Sequence, residues 1–265
     1  MLGGEDWVED DSKLDKVTQT AMVVNLLTED NLPSYHATIA ALYGREGAWG
    51  NWVGRWTAEE ARHGIALRDY LTTTRGVDPT SLERQRMAHM SAGYDPGDKT
   101  PLQALGYVTL QELATRVSHR NTGEVSGDPI AKRLLTRIAT DENLHMVFYR
   151  ELVKAAFEVD PNGMMRAVTG EVKGFAMPGD TIPDFQRQAA AIAMAGIYDP
   201  RLHIDMVVRP TIRAWKIESR EDLSGDGEAA REELMAFVDD LEVKAQKFET
   251  SRERLRARRA AKAEA

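Results

Sequence analysis

The 265-residue sequence contains no cysteine. No disulfide can staple the fold, and no thiolate can act as a nucleophile or metal ligand. That absence fits a reducing compartment, and a cytoplasmic location is the expectation. No run approaches 18 consecutive apolar residues, so no segment reads as a transmembrane helix. The acidic start "MLGGEDWVEDDSK" does not read as a signal peptide. Runs of alternating β-branched residues bounded by tight turns are missing as well, which leaves little for a sheet. Positive charge is short: 34 basic residues face 42 acidic ones, and a net charge of −8 weighs against a nucleic-acid binder. The basic C-terminal run "SRERLRARRAAKAEA" is either a solvated helix end or an interaction tail.

Helix signals fill the chain instead. Ser12 can cap a helix through "KLDKVTQTAMVVNLLTEDN", and Pro33 breaks or kinks it by disrupting the bond to the Glu29 carbonyl. A second helix covers "NWVGRWTAEEARHGIALRDYL". A third begins at "TPLQALGYVTLQELATRVSHR", with Thr100 as cap and Pro101 at the first helical position. "NTGEVSGD" reads as a loop. Asp128 and Pro129 repeat the cap-plus-proline signal and open a helix that ends at "DPNG". Further helices are expected near 183–197, 202–217 and 227–258. The expectation is an all-α chain, residues 1–265 as a single domain, with a core bundle over about 12–160 and additional helices over 161–258.

One pattern stands out. "TDENLHMVFYRELVKAAF" is an amphipathic helix that carries Glu142 and His145 on one stripe, and "TAEEARHG" repeats this as Glu60 and His63. With 22 glutamates and six histidines, chance supplies only about half of one Glu-x-x-His pair. Glu29 precedes Glu60 by 31 residues, and Glu112 precedes Glu142 by 30. At 1.5 Å per residue, about 12 helical residues out and 12 back bring each glutamate to the height of its Glu-x-x-His partner. The 49-residue step from His63 to Glu112 allows a crossover, so two hairpins can form a four-helix bundle. One Glu from each of two helices and one Glu-x-x-His from each of two others is the ligand arrangement of di-iron carboxylate bundles. Four carboxylates cancel the charge of two divalent irons. Without metal they would be buried, mutually repelling anions. Oxygen and imidazole donors suit iron or manganese, whereas a closed structural zinc site usually uses sulfur.

Glu59 and Asp141 each lie four residues before a histidine. Each can orient an imidazole nitrogen that metal does not use, or sit as a plain surface acid. Arg62 could balance the extra charge. Gly64, directly after His63, weakens a helix interior, and close helix approach is one reason to carry it.

"TEDNLPSY", "RWTAEEARHG", "QELATRVSHRNTG" and "TDENLH" resemble the soluble acyl-acyl carrier protein desaturases, most closely the actinobacterial members, and the resemblance runs from "LGGEDW" almost to the C-terminus. It implies a ferritin-like di-iron four-helix bundle with additional C-terminal helices. It implies iron ligands at Glu29, Glu60, His63, Glu112, Glu142 and His145, with Glu60 and Glu142 bridging. It places Thr115 beside the oxygen-binding face and Trp56 and Arg62 near the metal. The implied reaction is O2-dependent introduction of a cis double bond into an acyl chain on acyl carrier protein, with a ferredoxin-type electron donor and a homodimeric assembly. An unactivated methylene offers no charge to grip, so regiochemistry comes from tunnel geometry. Leu42, Leu105, Tyr107 and Met146 are candidates for that tunnel, or plain core. Two departures bear on these expectations. Plant members carry a leading segment that helps cover the bundle, and their connection between the first two ligand glutamates is several residues longer. The end of the tunnel is therefore expected to differ. A ferritin-like iron store, a di-iron N-oxygenase and a catalytically silent family member are the alternatives. For the acidic carrier protein, Arg68, Arg75, Arg84 and Arg86 are the favoured docking patch, and the tail from Arg252 onward is the other candidate.

Overall fold

A computed structural model describes residues 5–95, 97–179 and 181–263. Among them there is no strand, and the order of elements is helical throughout. Helix α1 spans Lys16–Asp30, α2 Leu32–Tyr43, α3 Gly47–Thr73 and α4 Pro79–Ala92. Helix α5 spans Pro101–Val125, α6 Pro129–Val159 and α7 Pro161–Lys173. Helix α8 spans Phe185–Ala195. α9 (Pro200–His203) passes through a π turn at Ile204–Val208 into α10 (Arg209–Ala214), and α11 spans Asp226–Ala263.

Capping chemistry explains the sharpest boundaries. The Thr100 hydroxyl accepts from the Gln103 amide while Gln103 reaches back to the Thr100 amide, a capping box followed by Pro101. Asp128 accepts from the Ile130 amide at the head of α6. α1 is capped by Asp15 rather than Ser12: the Asp15 carboxylate accepts from the Thr18 amide. Ser12 instead donates to the Gly76 carbonyl at 2.7 Å and ties the N-terminal segment to the end of α3. The expected loop at 121–128 begins only at Ser126, because α5 keeps its ladder through Val125. The helix that ends at Val159 restarts at Pro161, with Asp160 capping α7 through the Gly163 amide.

Pro33 does separate two helices. Asn31 closes α1 and opens α2, so Glu29 sits at the last turn of its helix. The 12-residue α2 then runs out and α3 runs back, which returns Glu60 to the height of Glu29. α5 and α6 form the corresponding antiparallel pair about a short turn. α4 lies in the stretch expected only as a crossover; its long polar side chains show little helical periodicity.

Two apolar clusters flank the middle of the bundle. One joins Met22, Leu26, Leu67, Leu71, Leu135 and Ile138 of α1, α3 and α6. The other joins Leu110, Tyr149, Val153 and Phe157 to Met164, Val207 and Leu234, so α7, the π turn and α11 share a core with α5 and α6. Leu105 and Met146 belong to this second cluster and pack as core.

Candidate metal centre

Between these clusters Glu29, Glu60, His63, Glu112, Glu142 and His145 are all buried. Their donor atoms form two groups. In one, atoms of Glu29, Glu60, His63 and Glu142 lie within 4.8 Å of one another; in the other, atoms of Glu60, Glu112, Glu142 and His145 do. Glu60 and Glu142 belong to both. Each group thus holds four donors, and the pair shares two carboxylates.

The histidines aim inward through Nδ1. His63 Nδ1 is 3.2 Å from Glu142 Oε1, 3.6 Å from Glu60 Oε2 and 3.8 Å from Glu29 Oε2. His145 Nδ1 is 2.7 Å from Glu60 Oε1 and 3.4 Å from Glu112 Oε2. These approaches fall outside hydrogen-bond geometry, and Glu60 Oε1, Glu142 Oε1, His63 Nδ1 and His145 Nδ1 all lack a hydrogen-bond partner. Buried polar atoms are ordinarily satisfied, so four orphans converging on one space mark a place for a cation. The donor set, oxygen and imidazole without sulfur, fits a pair of divalent irons or manganese ions.

Outer nitrogens of the histidines face carboxylates on the opposite helix. His145 Nε2 is 3.0 Å from Glu59 Oε2 across the α6–α3 boundary. His63 Nε2 is 3.6 Å from Asp141 Oδ2 across the same boundary. The sequence suggests that each acid serves the histidine four residues on along its own helix; the structure instead sets Glu59 against His145 and Asp141 against His63, across the two helices. Arg55 Nε (3.2 Å) backs Glu59, with Arg62 more distant at 3.9 Å, while Arg137 (3.3 Å) backs Asp141.

Three further contacts complete the surroundings. Trp56 Nε1 donates to Glu112 Oε1 at 3.1 Å. The Thr115 hydroxyl lies 2.8 Å from Glu142 Oε2 and 3.0 Å from the Glu112 carbonyl, so its single proton is held between a shared carboxylate and its own helix. His119, absent from the sequence expectations, is buried and donates from Nε2 to Glu29 Oε1 at 2.9 Å. A lone histidine on an apolar helix attracts no notice, yet Glu112, Thr115 and His119 follow one another at i, i+3 and i+7, which is one stripe. Trp52 stacks on Phe148 at 3.7 Å and meets His145 edge-on at 6.0 Å, walling that histidine from solvent.

Electrostatics differ between the carboxylates. Burial, then the Glu60 and Glu142 charges, push Glu112 well above the usual carboxylate range. Burial and then Glu142 also push Glu60 up. Burial acts the same way on Glu29, but His119 and His63 outweigh it and hold Glu29 low. His63 does likewise for Glu142. Burial alone would lower His145; the Glu112 and Glu60 carboxylates beside its Nδ1 instead push it up to about 12. In this state protons do part of the work that cations would do.

Of the four residues expected to line a tunnel, Leu42 and Tyr107 border a common cavity with Tyr35, Trp56, Tyr94 and Val108. Its volume is about 40 Å³, room for roughly three waters. It runs from Trp56, against Glu112 of the donor cluster, to Lys99, which pairs with buried Glu171 at 2.6 Å.

An α-helical bundle with two four-donor groups sharing two glutamates defines a class, and the comparisons supply the family. The sequence pattern of the family described as fatty acid desaturase matches residues 2–264, and the chain belongs to that family of oxidoreductases. The chain is 51% identical over 261 residues to a Mycobacterium tuberculosis protein named as an acyl-[acyl-carrier-protein] desaturase, DesA1, covering 96% of this chain and 77% of the relative. It is 34% identical over 229 residues to the chloroplastic stearoyl-[acyl-carrier-protein] 9-desaturase 6 of Arabidopsis thaliana, covering 80% of this chain and 58% of the relative. The X-ray structure of DesA2 from Mycobacterium tuberculosis, described as an acyl-ACP desaturase, superposes with a TM-score of 0.69 at 29% identity, covering 83% of this chain and 80% of that one. No helix among the described residues is long and apolar enough to cross a membrane.

Proposed function

We propose that the chain is an O2-dependent di-iron desaturase that places a cis double bond in an acyl chain carried on acyl carrier protein. The observation that carries this reading is the pair of four-donor groups joined through Glu60 and Glu142. Glu29 and His63 would hold one iron, Glu112 and His145 the other, with Glu60 and Glu142 between them. The iron pair supplies the oxidising chemistry with O2 when bound. The reaction converts –CH2–CH2–, O2, two electrons and two protons into –CH=CH– and two waters.

This chain's residues do the rest. Trp56 and His119 orient the two terminal carboxylates, and Glu59 and Asp141 orient the histidines. Thr115 holds a proton beside Glu142. The cavity lined by Leu42 and Tyr107 seats the chain against Trp56, and its walls must part to admit a long acyl group. α7 and α11 share a core with α5 and α6, which supports treating residues 1–265 as one unit. The two electrons come from an external donor, of ferredoxin type by the resemblance to the acyl-acyl carrier protein desaturases.

Docking of the carrier protein moves to the tail. Arg68 pairs with Glu83 at 2.7 Å, Arg75 with Asp11 at 2.6 Å, and Arg86 with Asp30 and Glu83, so three of the four favoured arginines are already neutralised. In the tail, Arg252 anchors α11 on Asp199, while Arg254 and Arg258 are exposed. An acidic partner meets open positive charge there.

The test is metal analysis followed by gas chromatography of products after incubation with stearoyl- and palmitoyl-carrier protein, ferredoxin and O2. The expected result is about two irons per chain and a monounsaturated product. Full iron loading with no unsaturated product from either substrate would overturn the assignment. Thr115→Val should keep both irons and lose the coupling between O2 consumed and double bonds formed; unchanged coupling would reduce Thr115 to a helix-packing residue.

A further inference from the structure

Glu29 borders not only the buried centre but also a surface pocket. The pocket, about 280 Å³, lies among α1, α2, α3 and α4; Glu29, Asp30, Gly64, Arg68, Asp69 and Arg86 line it together with Ile65 and the start of α2. Ile65 stands at its mouth, 60% exposed. Arg86 braces one wall, holding Asp30 through Nε at 2.5 Å and Nη2 at 3.0 Å. Three carboxylates against two guanidiniums leave the lining net negative, which draws a cation.

Gly64 forms the inner part of this pocket. It sits inside α3, where glycine weakens the helix relative to alanine. Helix crowding does not demand it: a Cβ would lie 3.5 Å from Asp30 Oδ1 and 3.6 Å from Glu29 Cβ, ordinary contact distances. The missing methyl leaves open space beside the stem of Glu29. The α1 ladder also stops at Asp30, so this ligand stands at a helix end beside the opening.

We propose that this pocket is the entry port through which divalent metal reaches the centre, that Glu29 is the first ligand met, and that Gly64 keeps the port open. The inference rests on the reading of the six residues as a metal centre. Its probe is Co(II) added to metal-free protein, followed by stopped-flow absorbance, with cobalt per chain measured at equilibrium. Gly64→Ala fills the inner pocket, Ile65→Trp covers the mouth from an exposed position, and Gly54→Ala, on the same helix with nothing within 4 Å of its Cβ, controls for helix propensity. Gly64→Ala and Ile65→Trp should slow uptake by about tenfold, equivalent to about 1.4 kcal/mol on the entry barrier. Final cobalt content should be unchanged, and Gly54→Ala should match the parent. Parental uptake rates in both pocket variants would overturn the port. So would a fall in final content at unchanged rate, which would make Gly64 part of the site's packing. Slower O2 consumption by the loaded Gly64→Ala protein with unchanged cobalt uptake would also overturn it, making the pocket a route for gas. No cobalt uptake by the parent would overturn the metal reading itself.

Discussion

The two halves of the centre are near-duplicates in sequence and unequal in surroundings. Each offers a terminal glutamate and a Glu-x-x-His. Yet Glu29 sits in the last turn of α1, is held by His119 and borders a surface pocket. Glu112 lies inside α5 and takes a hydrogen bond from the buried Trp56 indole. One terminal carboxylate is held ionised by histidines; the other is pushed toward its protonated form by burial and its anionic neighbours. A repeated motif therefore specifies the donor groups, while the helices around it decide how each half behaves.

The two halves should fail together when the carboxylates they share are removed. The double variant Glu60→Gln with Glu142→Gln should lose both irons and all desaturation, because each carboxylate serves both groups. Full iron occupancy in that variant, measured by elemental analysis, would sink the assignment. Next in size are the residues that differ between the halves. Trp56→Phe and His119→Gln should each lower metal affinity by about 10–100-fold, the usual effect of removing a partner that orients a ligand. Competition with a calibrated chelator measures this, and an unchanged constant for either variant would remove that residue from the site.

A third effect is graded with pH. His63 and His145 are both pushed up, His145 to about 12, so each half carries an imidazole proton at neutral pH that metal must displace; Glu112 alone adds a raised terminal carboxyl. Glu29 is held low and is already ionised. Metal binding should therefore strengthen as pH rises, by about tenfold per pH unit for each proton released. Fewer protons should leave when the Glu29 half fills than when the Glu112 half fills. Calorimetry in buffers of different ionisation enthalpy counts them, and equal release for both equivalents would contradict the asymmetry. The smallest effect concerns the histidine braces. Glu59→Gln should weaken metal binding more than Asp141→Asn, because Glu59 lies at 3.0 Å from its imidazole and Asp141 at 3.6 Å. The reverse order would show that charge matters there more than contact.

The six converging carboxylates and imidazoles were legible because Glu-x-x-His at one helical turn is rare and its two occurrences share a thirty-residue lead. Helix pairs were legible from cap-plus-proline signals at Thr100–Pro101 and Asp128–Pro129, where local chemistry sets the boundary. Ser12 misled because Asp15 offers the same cap three residues later with a charged acceptor. α4 was missed because its polar sequence has no strong apolar stripe and is held by ion pairs from Arg68 and Arg86. Partner identities across helices were not legible. Glu59 and Asp141 could be named, but which histidine each serves depends on how α3 and α6 cross. Likewise the Arg68–Arg86 cluster reads as a basic patch until its acidic partners on α1 and α4 are brought beside it.

The crossed braces carry a consequence for swapping parts between relatives. Since α3 supplies the acid that steadies the imidazole of α6, and α6 supplies the acid facing the imidazole of α3, neither helix is a self-contained module. A chimera that imports α3 alone would carry its own ligands but also replace the support of a histidine it does not contain. The heritable unit of this centre is the α3–α6 pair, and recombination that respects sequence repeats would cut through it.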